Sequence, residues 1–388
     1  MEYAAAKLRA SQMRKALGYH FLRIRKAPNA ALGVISKWLP LGVRTRLVYE
    51  LERSIPTLEL DLNNLSPLRD QFLIDAEVVA DAENFVISSA APHGLADGKY
   101  WNPLRVYRLR DVTVDPSSGL VFGNDQVIAQ SSYGWRRVED AAFLSSASAR
   151  AQKPEKESPI EAPVAPIGGS VFNYYFFLIH ALPRIQHVRQ IEPRAIVVLT
   201  DSTPRFAFGA LDALGIPYQV VGTKAFRHSE VLICDPSYHP WPHPANIRLL
   251  GNLASEYAGE CSDSLRKVYI ARRGKGREFL NEHELVEFLE SKGYVSIQLE
   301  ELDWLEQVSL LRNAESVVAA HGAGLANIAF MRAGSQVLEL TTGVWWFPSM
   351  RNIAEIAGLD HHIVHLPYES NSPHGTAESA IGALRQYV

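Results

Sequence analysis

Ser316-Val317-Val318-Ala319-Ala320-His321-Gly322-Ala323-Gly324-Leu325-Ala326-Asn327 is an apolar run of strand length that breaks into a glycine-bearing turn and resumes as an apolar helical pattern up to Met331. The run Gln336-Val337-Leu338-Glu339-Leu340 follows and reads as another strand. Strand, glycine turn, helix and strand make a βαβ unit, whose right-handed crossover places the two strands parallel. Small residues at the turn let a ligand approach the backbone. The first helical turn behind them offers unpaired N–H groups and a positive dipole end to a phosphate, which makes His321, Gly322, Ala323 and Gly324 a candidate phosphate cradle. The spacing Gly-x-Gly-x-x-Asn lacks the third glycine of a dinucleotide fingerprint, and no partner acid stands about 20 residues on, so an NAD enzyme is disfavoured. The alternative is a turn whose glycines serve only tight packing of helix on sheet.

Immediately upstream, Lys267-Val268-Tyr269-Ile270-Ala271 forms a buried strand that ends in Arg272-Arg273-Gly274-Lys275-Gly276-Arg277. A basic loop at the carboxyl end of a parallel strand is where an anionic ligand is met, and arginine grips a diphosphate bidentately. A solvated basic turn is the plainer reading. Between these segments, Asn281 with Glu284 and Asp303 with Glu306 mark two helix starts, and Gly293 ends the first helix. Glu339 lies inside an apolar strand and needs partners there. Ribose hydroxyls or a salt bridge within the protein would both serve.

Toward the amino end, Ile196–Leu199, Tyr218–Val221 and Val231–Ile233 read as strands, with a helix over Ala245–Tyr257. Asn173 can cap a helix that runs through Leu182 and ends at Pro183, with positions 176 and 180 on one face. Earlier still, Phe85–Ser88, Leu104–Leu109, Val112–Val114, Leu120–Phe122 and Gln126–Ile128 are short strands parted by turn residues, a β-meander. Residues 145–169, rich in Ser, Ala, Pro, Lys and Glu, read as an exposed connection. The expected fold class is therefore α/β, with two Rossmann-like domains facing each other across a cleft, an N-terminal helical segment and a β-hairpin layer. The boundaries fall at 1–55, 56–260 and 261–388, with the last helix packing back on the N-terminal domain.

Composition limits the alternatives. At 388 residues the chain fits two domains, and 47% hydrophobic against 21% charged residues allows a large core. Its cysteines are Cys234 and Cys261, too few for a disulfide framework or a four-thiolate zinc site, which fits a cytoplasmic setting. No signal-type or membrane-spanning apolar stretch is evident. None of the thirteen histidines stands in a metal-binding helical motif, so no metal is expected. Residues 1–50 hold ten Lys/Arg and two Glu within a chain of net charge −3. Interleaved with Phe21, Ile24, Ile35 and Trp38, they suit an anionic membrane surface, while a docked helical hairpin is the alternative.

Val268-Tyr269-Ile270-Ala271-Arg272-Arg273, Arg277, Asn281-Glu282, Glu300-Glu301-Leu302, Glu306-Gln307, His321 to Asn327 and Val337 to Leu340 come in an order that resembles glycosyltransferase family 61. The likeness covers about residues 265–345 and extends more weakly to Asn173-Tyr174-Tyr175 and Leu182-Pro183-Arg184. It implies a bacterial capsular or exopolysaccharide-type enzyme of GT-B fold, with metal-independent, inverting transfer from a nucleotide sugar, UDP-linked, and no cofactor. Arg272, Arg273, Arg277 and His321 to Gly324 would hold the donor diphosphate, Asn327 and Glu339 the ribose or base. Asn173, Tyr174 and Arg184 would lie on the acceptor side.

The acceptor would be a glycan, lipid-linked, met at the inner membrane by a peripheral enzyme, with no nucleic acid involved. In the family pattern a histidine stands where this chain has Phe176, and His180 replaces an acid, so His180 becomes the candidate base. A scaffold that binds nucleotide sugars without turnover, or an epimerase or hydrolase using the same phosphate site, remains open.

Overall fold

The computed structural model describes residues 73–81, 83–85, 99–101, 103–123, 126–128, 131, 150–155, 158, 160–167, 171, 173–237, 241–259, 265–272, 278–343, 347–369 and 374–388. The basic segment 1–50, Arg273 and Arg277 lie outside these residues.

The first sheet has eight strands. In chain order they are β1 (Leu73–Ala80), β4 (Leu104–Asp115), β5 (Leu120–Gly123), β6 (Gln126–Val127), β7 (Val164–Pro166), β8 (Ile196–Thr200), β9 (Tyr218–Val221) and β10 (Phe226–Cys234); β2 (Glu83–Phe85) and β3 (Lys99–Trp101) pair separately. The order across the sheet is β6-β5-β4-β10-β7-β8-β9, with β1 also on β4. The expected meander is present as β4, β5 and β6, antiparallel throughout. It does not form a layer of its own, because β10 joins β4 antiparallel on one side and β7 parallel on the other. Two expected strands merge into the twelve-residue β4, in which Asp111 takes the left-handed region at φ 51°. The connection at 145–169 is not wholly exposed. Ile160, Val164, Ala165 and Ile167 are buried, since the short β7 fills the gap between β10 and β8.

Asn173 caps the first helix, α1, by accepting the Tyr175 N–H at 2.9 Å. The helix does not stop at Pro183. Tyr174–Phe176 is α-helical, Phe177–Ala181 widens into a π-turn, and Leu182–Ile191 continues as α-helix. The wider turn lets the Leu182 N–H reach back to the Phe177 carbonyl, and Pro183 then occupies a first-turn position where its missing N–H costs little. Helices α2 (Arg205–Ala213) and α3 (Pro244–Tyr257) complete the first part of the chain.

The second sheet is all parallel, in the order β12 (Val295–Ile297), β11 (Lys267–Ile270), β13 (Ser316–Ala320), β14 (Gln336–Thr341), β15 (Asp360–His365). Between the strands run α4 (Glu282–Glu290), α5 (Trp304–Asn313), a 3₁₀ segment (Ala323–Phe330) and α6 (Ser349–Ala357), with α7 (Ala377–Leu384) last. Asp303 and Glu306 close the expected capping box of α5. One hydrophobic cluster joins Val197 and Leu199 of the first sheet to Val268, Val317 and Val337 of the second, through Leu211, Ile247, Leu311, Phe330 and Ile353 on the helices between. The other face of the second sheet is covered by α4 and α7, around Phe279, Leu285, Leu338 and Leu384. The last helix therefore packs on α4 and β15 of its own sheet instead of returning to the first. That placement follows from its apolar face, whose buried Ala377, Ala380 and Leu384 match the space beside Val364 and Leu366.

Candidate active site

In an open parallel sheet a ligand crevice opens at the carboxyl ends of the two strands where the strand order reverses, because the crossovers leave in opposite directions there. In β12-β11-β13-β14-β15 that point lies between β11 and β13. The β11 to β12 crossover, α4, belongs to the cluster with Tyr269 and Leu338, whereas α5, leading to β13, belongs to the cluster on the opposite face. The two strands end in Ala271-Arg272 and His321-Gly322. The segments picked out separately in the sequence thus meet at the point where topology leaves room for a ligand.

The Arg272 guanidinium lies against Gly322. A Cβ on residue 322 would overlap Arg272 Nη2 and stand 2.8 Å from Nη1. The backbone of Gly322, at φ 155° and ψ 179°, is also in a region essentially reserved for glycine. Gly324 has ordinary room, the nearest atom to a Cβ there being Leu299 Cδ1 at 3.6 Å. Behind the turn the expected α-helix is a 3₁₀ helix of eight residues, longer than such runs usually are. Its first N–H groups lack intrahelical acceptors and face the same end as Arg272.

His321 is held from behind. Its Nδ1 and the Nε2 of His361, the latter at 2.8 Å, hydrogen-bond the two oxygens of Glu339, a carboxylate with no exposure to solvent. Burial pushes the Glu339 carboxyl up, but the hydrogen bonds and charges of His321 and His361 outweigh this and hold it below its ordinary range. An ionised carboxylate only accepts, so the Nδ1 of His321 donates to it, which leaves Nε2 for another partner. Of the two partners open for Glu339, the structure shows the internal one. A fully buried carboxylate engaged by two imidazoles orients His321.

Asn327 is likewise buried. Its Oδ1 accepts the Tyr174 hydroxyl at 2.6 Å, and its Nδ2 donates to the Gly324 carbonyl at 3.0 Å. Asn327 and Tyr174, expected at the nucleotide and the acceptor, instead tie α1 to the glycine turn. Arg184, also expected on the acceptor side, is buried with Nε donating to the Cys234 carbonyl at 2.9 Å, and Asn173 serves as the helix cap. His180 is 4% exposed, bonds Ser237 Oγ through Nδ1 at 2.6 Å and stacks on Phe176 at 5.7 Å between ring centroids. These are the surroundings of a core residue.

Two contributors escaped the sequence reading of roles. Glu282 accepts the Tyr269 hydroxyl at 2.6 Å and the Arg272 N–H at 3.4 Å, and so fixes the chain where it leaves β11. Its position in the first turn of a helix was the available signal, but that position usually means only a dipole partner. His361 reaches Glu339 across the pairing of β14 with β15, which no local pattern announces. Among the described residues no group of three His, Cys, Asp or Glu side chains is arranged to hold a metal ion. No described helix is long and apolar enough to cross a membrane.

Residues 174–338 match the glycosyltransferase 61 family. The chain is 34% identical over 79 residues to an EGF domain-specific O-linked N-acetylglucosamine transferase of Drosophila melanogaster, a stretch covering 20% of this chain and 15% of the relative. It is 30% identical over 87 residues to the protein of that name in Canis lupus familiaris, covering 21% of this chain and 16% of the relative. The chain thus spans about 15% of the length of the curated relatives it matches. Among solved structures, the flavodiiron protein from Giardia intestinalis aligns over 74% of this chain and 64% of its own at a TM-score of 0.19 and 11% identity, too low to bear on the fold. The family and its relatives support a glycosyltransferase.

Proposed function

We propose that this chain, similar to glycosyltransferase 61 over residues 174–338, moves a sugar from a nucleotide-sugar donor to a glycan, with inversion and without a metal, in a GT-B type arrangement. The observation that carries the reading is the packing of Arg272 against Gly322 at the switch point of the second sheet, with His321 braced by Glu339. Sugar transfer from a nucleoside diphosphate builds negative charge on the leaving phosphate. A guanidinium, an imidazole oriented by a buried carboxylate, and backbone N–H groups meet that charge as it develops. In this reading Arg272 binds the diphosphate, the backbone of Gly322 to Gly324 lines it, and the Nε2 of His321 donates to a leaving oxygen.

His180 is assigned to order the amino end of α1, and its burial is the support for that choice. The names of the relatives make UDP-N-acetylglucosamine the first donor to try. Polysaccharide synthesis, a cytoplasmic setting, a lipid-linked acceptor and attachment through residues 1–50 belong to the same proposal and rest on the sequence alone.

The test is a panel of nucleoside diphosphates and their sugar conjugates read by thermal shift, followed by turnover with and without glycan acceptors. A ligand at about 100 times its dissociation constant adds about 2.7 kcal/mol of stability. Binding of a nucleotide sugar with acceptor-dependent release of the nucleotide is expected. Binding without release in any acceptor mixture would make the chain a scaffold, turnover without acceptor an epimerase or hydrolase, and no binding at all would overturn the reading.

A further inference from the structure

Gln307, in the first turn of α5, stands between two backbone carbonyls. Its Nε2 donates to Leu299 at 2.9 Å and to Leu302 at 3.2 Å, the carbonyls of the turn that leads from β12 into α5. A carbonyl only accepts, so both amide protons are committed there and Oε1 faces the other way. That oxygen accepts the Asn327 Nδ2 at 3.5 Å. The second proton of the same Nδ2 goes to the Gly324 carbonyl at 3.0 Å, which leaves Asn327 Oδ1 to accept the Tyr174 hydroxyl at 2.6 Å. The hydroxyl also lies 3.3 Å from Gln307 Oε1, but its one proton serves the shorter contact. Every donor proton of the three side chains is thereby used, and each amide has one possible orientation. A network satisfied in this way rigidifies what it joins, whereas a missing partner strands a buried polar group.

Three segments meet in it. The turn 299–302 packs on the glycine turn, with Leu299 Cδ1 3.6 Å from where a Cβ of Gly324 would stand. The glycine turn is closed by the Leu325 N–H on the Gly322 carbonyl at 2.9 Å, so the Gly324 carbonyl that Asn327 holds belongs to the same turn that meets Arg272 through Gly322. Tyr174 opens α1, which follows β7 of the first sheet. Its ring packs edge-to-face on Phe206 of α2 at 5.3 Å, which makes its hydroxyl a fixed point of the first part of the chain. Burial pushes that hydroxyl's pKa up, so it keeps its proton and donates at any working pH.

We infer that Gln307 is a positioning residue for the donor diphosphate: with Asn327 it fixes the glycine turn between α5 and α1, and the first part of the chain sets the phosphate-binding geometry through the Tyr174 hydroxyl. The inference rests on the proposed donor site at Arg272 and Gly322. A misplacement of about 1 Å can cost about 10²-fold in rate, so a side chain that touches no substrate still has kinetic weight.

Tyr174→Phe removes one oxygen and strands Asn327 Oδ1, and Gln307→Met removes the amide with little change of length. Both variants and the double variant are compared with the parent by titration with UDP, well below each Tm, and by amide hydrogen exchange of residues 321–331. Each single variant is expected to bind UDP about tenfold more weakly, the effect of one stranded buried group. The double variant should be little weaker than either, because both act through Asn327. Exchange in 321–331 should quicken in Tyr174→Phe, although residue 174 lies in another part of the chain.

A merely structural network lowers Tm in these variants and leaves the UDP affinity of the folded protein at the parent's value, which overturns the inference. Losses that multiply in the double variant, or unchanged exchange in Tyr174→Phe, overturn it as well. If Gln307→Met does not fold, Tyr174→Phe carries the affinity and exchange tests alone. Arg272→Ala separates the two readings. Where it abolishes UDP binding while Tyr174→Phe and Gln307→Met keep the parent's affinity, the donor site stands and the positioning role falls. A parent that binds no UDP sinks the donor reading, and the positioning role with it.

Discussion

The guanidinium of Arg272 occupies the space that any side chain at position 322 would need, so the glycine at the turn and the arginine at the end of the neighbouring strand are one unit. The end of β11 is fixed by Glu282, which takes both the Tyr269 hydroxyl and the Arg272 N–H. The end of β13 is fixed by the Glu339 to His321 bond. The crevice between them is therefore built on strand ends that are each held by a buried or half-buried carboxylate.

Gly322→Ala pushes Arg272 aside and strains the backbone, whereas Gly324→Ala meets only ordinary contact. Because a hydrogen bond to a charged group contributes about 1.5–3 kcal/mol, the first substitution lowers affinity for the nucleoside diphosphate roughly 10- to 100-fold. The second leaves it within about threefold, since open space costs little. Isothermal titration of both variants with UDP checks the contrast, and equal losses would separate Arg272 from the glycine turn.

Glu339→Gln removes the charge that His321 and His361 share and offers one of them an N–H where it needs an acceptor. The cost to stability at pH 7 is about 1–3 kcal/mol, and turnover falls by about 10²-fold as His321 loses the carboxylate that orients it. The sign of the pH dependence follows from the direction of the Glu339 shift. Its carboxyl is held below its ordinary 4.5 in the folded state, so its stabilisation is present above that value and lost as pH falls through the lower folded one. Urea denaturation of parent and variant between neutral pH and the acid range should show a shallower acid loss in the variant.

His180→Gln deletes the Nδ1 bond to Ser237 and the stack on Phe176 inside the core. The expected result is a stability loss of about 1–3 kcal/mol with turnover kept within about tenfold. A fall of 10³-fold or more at unchanged donor affinity would instead restore His180 as the proton acceptor, since general bases contribute about 10²–10⁴-fold.

Arg150 makes a fork-to-fork pair with the fully buried Asp115, Nε to Oδ1 at 2.6 Å and Nη2 to Oδ2 at 2.7 Å, which ties the 150 region to the turn after β4. Breaking a buried pair from one side strands the remaining charge. Arg150→Ala is expected to cost about 3 kcal/mol in chemical denaturation, while Arg150→Lys, unable to fork, recovers only part.

Local pattern was enough for the features that are local. The run from Ser316 to Asn327 announced strand, glycine turn and helical segment, because its periodicity and small residues have only that reading. The Asn173 cap and the Asp303 to Glu306 box follow from side chains that reach two or three residues along their own backbone. The end of α1 was misjudged at Pro183 because the π-turn that accommodates it depends on how Phe177 to Ala181 pack, a property of the whole core. The strand β7 escaped for a similar reason, since three residues ending in proline become a strand only when neighbours on both sides pair with them.

The sequence by itself therefore determined which residues turn, which cap and which lie in strands, and through them the α/β class of the second half. Tertiary structure alone decided that β12 pairs on the far side of β11, and this opens the crevice between Arg272 and Gly322. It also decided that Glu339 meets His321 and His361, and that Asn327 meets Tyr174. Alternation along a strand says which side chains share a face, but nothing in it says which strand lies alongside, and every one of those contacts is made between strands or helices distant in the chain.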